Sequence, residues 1–176
     1  MLTTASNRNN NRTSRPWGSQ GAQKAPQFGR FGFMAPDTSS TAHTSGRAPE
    51  PVGLYPHARR VGNLLFLSGV GPRQRGQQQV PGVELAADGS IVAYDFERQC
   101  HAVFQNVRYI LEEAGARWED LVDVTVYLTN MRADFPTYNC LYAEYFRSNQ
   151  PCRTTVEVNC LPTPIAIELK CIAVVS

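Results

Sequence analysis

Apolar and polar positions alternate in two different periods along the chain, and the changes of period mark its elements. "VGNLLFLSG", Val61 to Gly69, is an apolar run closed by glycine and predicts a strand. A polar, glycine-bounded loop, "GPRQRGQQQVPG", follows. In "GVELAADGSIVAY" two short runs flank Asp88–Gly89, which is a hairpin signal. The period then changes. Phe96, Cys100, Val103, Phe104, Val107, Ile110, Leu111 and Ala114 recur at helical spacing. Asp95 is placed to cap that helix, and Gly115 to supply the left-handed residue beyond its end.

"LVDVTVYLT", Leu121 to Thr129, returns to strict alternation, with Val122, Val124, Val126 and Leu128 on one face. A second helix carries a wide aromatic stripe of Phe135, Tyr138, Leu141, Tyr142, Tyr145 and Phe146. Asp134 is read as its cap and Pro136 as a residue of its first turn. Two strands complete the chain, Thr154 to Val158 and Ile165 to Ala173. Strands interleaved with two amphipathic helices predict an α+β domain, a sheet with both helices on one face. Alternation assigns Asp123, Thr125, Tyr127, Thr155, Glu157, Ala166, Glu168 and Ile172 to the other face. That set is too polar for a core and too apolar for plain solvent, so a wet subunit interface and a homo-oligomer are expected.

Charge changes the picture only at the N-terminus. The 176 residues carry a net charge of +2. Residues 1–47 hold Arg8, Arg12, Arg15, Lys24, Arg30 and Arg47 against the single acid Asp37, whereas residues 48–176 hold 11 basic residues and 14 acids. The first segment has no apolar period and reads as a disordered extension, with the domain spanning 48–176. Its acid-poor, Arg- and Ser-containing composition is that of an organellar, for instance mitochondrial, transit peptide. It lacks the amphipathic face of such a peptide, so a solvated tail, or a true start at Met34, is the favoured reading. No apolar run reaches a membrane span, and no secretory h-region is visible. The cytoplasm is therefore the expected compartment. Five cysteines without a CxxC pair are read as reduced thiols, and neither they nor the three histidines fall at zinc-ligand spacing. The acidic balance of 48–176 argues against nucleic acid as a partner.

Candidate chemistry collects near the C-terminus. Arg153 stands at the mouth of one strand, and Glu168 sits inside the next. An arginine suits a bidentate grip on a substrate carboxylate, and a carboxylate suits holding or activating a water. The same residues also fit an ion pair with each other, or of Arg153 with Glu157.

Three stretches carry a family resemblance: "GLYPHARRVGNLLFLSG", "VFQNVRYILEEAGARWEDLVDVTVYLTNMRADFPTYNCLYAEYF" and "PCRTTVEVNCLPTPIAIELKCIA". In order and spacing they resemble the RidA (YjgF) superfamily over about residues 50–174. "YPHARR" and the arginine-bearing loop after Ser68–Gly69 look like its 2-aminomuconate deaminase branch. Residues 1–47 have no counterpart in the resemblance. Thr155 stands where many members carry cysteine, and Tyr–Pro–His where RidA proper reads Tyr–Ser–Gln.

The resemblance implies a chorismate-mutase-like fold and a homotrimer with active sites between subunits. It also implies a cofactor- and metal-free hydrolytic deaminase acting on enamines or imines of 2-oxo acids. Arg153 then matches the carboxylate-binding arginine and Glu168 the water-positioning glutamate. Tyr55, Gly69 and Asn139 match residues lining the substrate pocket. A substrate with a second carboxylate, such as 2-aminomuconate, requires a second cation, for which Arg73, Arg75, Arg59 and His57 are candidates. Two other activities compete with deamination. One is a non-enzymatic, chaperone-like trimer binding small carboxylates. The other is an endoribonuclease or translation inhibitor.

Overall fold

The computed structural model describes residues 39–175. The sheet starts earlier than the apolar pattern announces, at β1 (Ser40–His43). β1 pairs antiparallel with β2 (Ala58–Val61), matching Ser40 to Val61 and His43 to Ala58. The boundary at residue 48 is therefore corrected for residues 39–47. Their cohesion comes from backbone pairing and a serine turn, which leave no hydrophobic period. Expectations about residues 1–38 lie outside the described residues.

The run from Val61 is also not one strand. Gly62, at φ +58°, turns the chain with Asn63, and β2 folds back on β3 (Leu64–Leu67) as a tight hairpin. Gly–Asn between two short runs is a recognised hairpin signal, here hidden by its apolar flanks. β4 (Val83–Leu85) and β5 (Ile91–Tyr94) form the expected hairpin as a separate two-stranded sheet. Gly89 adopts φ +84° in its turn, and the Asp88 carboxylate accepts from Ser90 N–H at 2.9 Å.

α1 (Phe96–Glu113) is capped by Asp95, whose side chain accepts from Arg98 N–H, and Gly115 follows its end at φ +80°. After a 3₁₀ turn at Trp118–Asp120 comes β6 (Leu121–Leu128). An irregularity between Leu121 and Asp123 turns Val122 out to solvent and puts Leu121 in the core. Strict alternation assigned Val122 to the core, and one extra residue displaces it.

α2 (Met131–Tyr145) is capped by Asn130, whose side chain accepts from Ala133 N–H at 3.3 Å. Asp134 is therefore not the cap. It is buried, accepts from the Tyr94 hydroxyl at 2.8 Å, and ties β5 to α2. Pro136 accordingly lies in the second turn rather than the first.

β7 (Cys152–Glu157) runs parallel to β6, and β8 (Ile167–Val174) lies antiparallel on the other side of β6. The mixed six-stranded sheet has the order β1-β2-β3-β8-β6-β7. α2 is the crossover that a parallel β6–β7 pair requires. Both helices cover one face. Val103, Phe104, Val107 and Leu111 of α1 and Tyr138 of α2 pack on Leu65, Leu67, Val124, Val126, Leu169 and Cys171. No helix among the described residues is long and apolar enough to cross a membrane.

The opposite face carries no helix among the described residues. Asp123, Thr125 and Tyr127 alternate there with the buried residues of β6, and Glu168, Lys170 and Ile172 with those of β8. One correction applies to β7. Arg153 pairs with Val124 and Thr155 with Val126, so Arg153, Thr155 and Glu157 project on the helix side. Thr154 and Val156 share the open face with Tyr127 instead.

Candidate active site

β7 is the outermost strand beside β6, and α2 runs alongside it. Arg153, the strand's second residue, leans onto that helix. Its Nη1 donates to Asn139 Oδ1 at 2.9 Å, so two residues expected at the site meet. Its guanidinium carbon lies 4.6 Å from the centre of the Tyr142 ring, 5.6 Å from Phe135 and 5.7 Å from Tyr138. Thr155, two residues on, has its hydroxyl buried without a hydrogen-bond partner.

Arg153 is in no ion pair among the described residues. Glu157 instead accepts from Met131 N–H at 2.6 Å, a carboxylate at the positive end of α2. Glu168 cannot reach Arg153 within the chain. It pairs across the ladder with Tyr127, on the open face, while Arg153 projects on the helix face, and β6 lies between their strands. The ion-pair alternative is thereby excluded, and so is a cleft shared by the two residues of one chain.

Glu168 has its own surroundings. Its carboxylate lies against the backbone of Gly69, where a side-chain Cβ would come within 2.8 Å of Glu168 Cδ. Any side chain at Gly69 would push the Glu168 carboxylate from this position. The next residue, Val70, exchanges two backbone hydrogen bonds with Leu169, of 2.8 and 2.9 Å, and this holds the Gly69 segment beside β8. Glu168 is half-buried, and desolvation raises its pKa above the ordinary glutamate value.

Tyr55, Gly69 and Arg73 line one small cavity of about 30 Å³, together with His57 and Ser68. Tyr55 is 42% exposed. Ser68 is pinned at both its polar groups, its N–H donating to His57 O at 2.9 Å and its hydroxyl to Pro56 O at 2.7 Å. Arg73 donates to Glu50 O at 2.6 Å and is half-buried.

The other candidates for a second cation have structural tasks. His57 is buried. Its Nδ1 accepts from Ser45 N–H at 2.9 Å, which leaves Nε2 to carry the proton donated to Pro49 O at 2.9 Å. Arg75 donates to the carbonyls of Ser45 and Ala48 and pairs with Glu50. Arg59 donates to Ser40 Oγ at 3.0 Å.

Two residues of the site escaped the sequence reading. Tyr142 sits in a helical aromatic stripe, and nothing in the spacing separates it from core. Asn106, on the buried side of α1, donates to Gly71 O at 2.8 Å and Arg73 O at 2.7 Å, and so holds the loop after Gly69. A polar residue inside an apolar helical period was the available signal for Asn106.

The chain thus presents two half-sites. One is a fixed cation with an amide beside it, the other a desolvated carboxylate over exposed backbone, next to a tyrosine and a cavity. The first can anchor a carboxylate and the second can orient a small polar molecule.

The family described as Endoribonuclease L-PSP matches residues 45–175. A RutC family protein of Pyrococcus abyssi is 41% identical over 127 residues, covering 72% of this chain and 91% of that protein. The chloroplastic Reactive Intermediate Deaminase A of Arabidopsis thaliana is 32% identical over 152 residues, 86% of this chain and 75% of that protein. A 2-iminobutanoate/2-iminopropanoate deaminase of Dermatophagoides farinae is 33% identical over 129 residues, 73% of this chain and 91% of that protein. Among solved structures, E. coli TdcF with bound serine superposes with a TM-score of 0.66 at 29% identity, covering 77% of this chain and 99% of that one.

Proposed function

The chain belongs to the endoribonuclease L-PSP family within the RidA (YjgF) superfamily, and we propose that it is a cofactor-free hydrolytic deaminase of imines derived from 2-oxo acids. The observation that carries this reading is Arg153, a cation held by an amide and an aromatic ring, with no acid among the described residues to neutralise it. Such a group is prepared for an incoming carboxylate. The two deaminases among the relatives, one of them named for 2-iminobutanoate and 2-iminopropanoate, and the serine-bound structure support a small carboxylate as ligand.

In the proposed reaction Arg153 and Asn139 hold the carboxylate next to the imine carbon. Glu168 orients a water against that carbon. The water oxygen bonds to carbon while a proton passes to the imine nitrogen, giving a carbinolamine. The C–N bond then breaks, the hydroxyl gives up its proton, and a ketone and ammonia leave. Burial raises the Glu168 pKa toward working pH, which suits a group that takes and returns a proton. Orientation supplies much of the rate, since the imine is already electrophilic.

We further propose that the site is completed between subunits of a homotrimer, because Arg153 and Glu168 project on opposite faces of one sheet. The open face of β6 and β8 suits burial against a second copy. The favoured substrates are short 2-imino acids. A second reading is 2-aminomuconate, favoured by Arg73, a half-buried cation that lines the cavity with Tyr55 and Gly69. RNA cleavage is disfavoured, because residues 48–176 carry 11 basic residues against 14 acids and the phosphate backbone needs neutralising. The reading for compartment remains the cytoplasm, with organellar import the second reading.

The test offers purified protein 2-iminopropanoate generated in place and, separately, 2-aminomuconate, and measures ammonia. Release above the uncatalysed background is expected with at least the first. Binding of 2-oxo acids without release would make the protein a carboxylate-binding module and overturn the deaminase reading.

A further inference from the structure

Arg153 is a long side chain on an outer strand, with a single hydrogen bond among the described residues to hold it. An exposed arginine of this kind samples many rotamers, and fixing it at the moment of binding weakens the grip on a ligand. An acid beside it would fix it, but would also compete with any arriving carboxylate. The structure uses neither solution. Of the three rings around the guanidinium, Tyr142 is the nearest, at 4.6 Å. A ring face attracts the cation without cancelling its charge or filling its N–H donors.

Tyr142 is itself immobilised at both ends. Its ring stacks on Phe146 at 4.3 Å and an interplanar angle of 27°. Its hydroxyl donates to Pro151 O at 3.1 Å, two residues before Arg153. Between α2 and that carbonyl the chain turns through Gln150 at φ +42°, a conformation non-glycine residues rarely adopt. One side chain therefore fixes both the backbone entering β7 and the guanidinium on its second residue.

We propose that Tyr142 is a positioning residue for the reaction, the platform that holds Arg153 in the orientation that receives the substrate carboxylate. Its ring supplies the platform, and its hydroxyl only secures the ring. The identity of the ligand rests on the deaminase reading; the platform role does not require turnover.

The test compares the full-length protein with Tyr142→Leu, Tyr142→Phe and Tyr145→Leu. Tyr145 belongs to the same helix and packs against Phe104 but not against Arg153, so its truncation reports loosened packing alone. Two readouts are taken: calorimetric Kd for 2-oxobutanoate, and KM and kcat for ammonia release from the corresponding imine. Tyr142→Leu should weaken Kd and raise KM about tenfold, with kcat within about twofold of the parent. Tyr142→Phe keeps the ring but loses the bond to Pro151 O, so it should lose a small part of the Kd and KM effect, about twofold, well short of Tyr142→Leu. Tyr145→Leu should lower Tm while leaving Kd unchanged.

Equal losses in Tyr142→Leu and Tyr145→Leu would mean a general loosening and overturn the proposal. A loss in Tyr142→Phe as large as in Tyr142→Leu would assign the effect to the hydroxyl and overturn it too. A parent that binds 2-oxobutanoate but releases no ammonia removes the deaminase reading and leaves the Kd comparison decisive. A parent that does not bind 2-oxobutanoate overturns the proposal.

Discussion

Arg153 and Glu168 respond to substitution in different ways, because one is solvated and the other is half-buried. Arg153→Lys keeps the charge but loses the planar fork that lies over the Tyr142 ring, so deamination should fall although the fold is intact. Arg153→Ala should lose more, on the order of 2–4 kcal/mol in kcat/KM. Ammonia release per folded protein, with Tm as the control, checks both; unchanged rates would remove Arg153 from the site. Glu168 adds a dependence on pH. Burial raises its folded-state pKa, so the unfolded chain loses this proton at lower pH than the folded one. From about pH 4.3, the ordinary glutamate value, up to the raised folded value, the unfolded state binds fewer protons. Stability therefore falls as pH rises through that window and levels off above it. Glu168→Gln removes this loss. The variant should turn over more slowly yet melt higher than the parent at neutral pH, with the difference gone below about pH 4. A lower Tm at neutral pH would mean that the carboxylate has a stabilising partner.

At the scale of elements, the N-terminal segment and β7 show what a period can and cannot announce. α1 was legible from end to end, because its apolar spacing, its Asp95 cap and its terminal Gly115 agree. β1 was not, because an edge strand reading "STAH" is held by backbone hydrogen bonds, and these leave no mark on composition. The face of Arg153 was not legible either. It depends on the register between β6 and β7, which one residue of slip would reverse. Beyond β1 the segment tightens. Ser45 Oγ accepts from Arg47 and Ala48 N–H, Ser45 N–H caps His57, and Arg47 reaches Glu112 and Glu113. The ion pairs are exposed and contribute little. A chain trimmed to begin at Ala48 leaves β2 as a bare edge and the buried His57 Nδ1 without its donor. It should lose about 2 kcal/mol against a chain beginning at Ser39, roughly 7 °C in Tm. Equal melting curves would show that residues 39–47 add nothing to the domain.

At the scale of the whole molecule, the proposed trimer makes a prediction that no single-chain site can meet. A cation and a carboxylate on opposite faces of one sheet can act on one substrate only if different subunits supply them. A protein carrying Arg153→Ala retains its Glu168, and one carrying Glu168→Gln retains its Arg153. Each homotrimer lacks one half of every site and should be nearly inactive. If the two are co-expressed and assemble at random, about one quarter of the sites draw an intact Arg153 from one subunit and an intact Glu168 from its neighbour. Ammonia release should recover to about that fraction of the parent. It should also track the fraction of mixed trimers resolved by differently tagged chains. Mixing after assembly, without subunit exchange, should restore nothing, which separates shared sites from simple addition of two weak enzymes. If the mixed trimers stay as inactive as their parents, the site is not shared between neighbours. Glu168 would then act at some place other than the carboxylate anchored by Arg153.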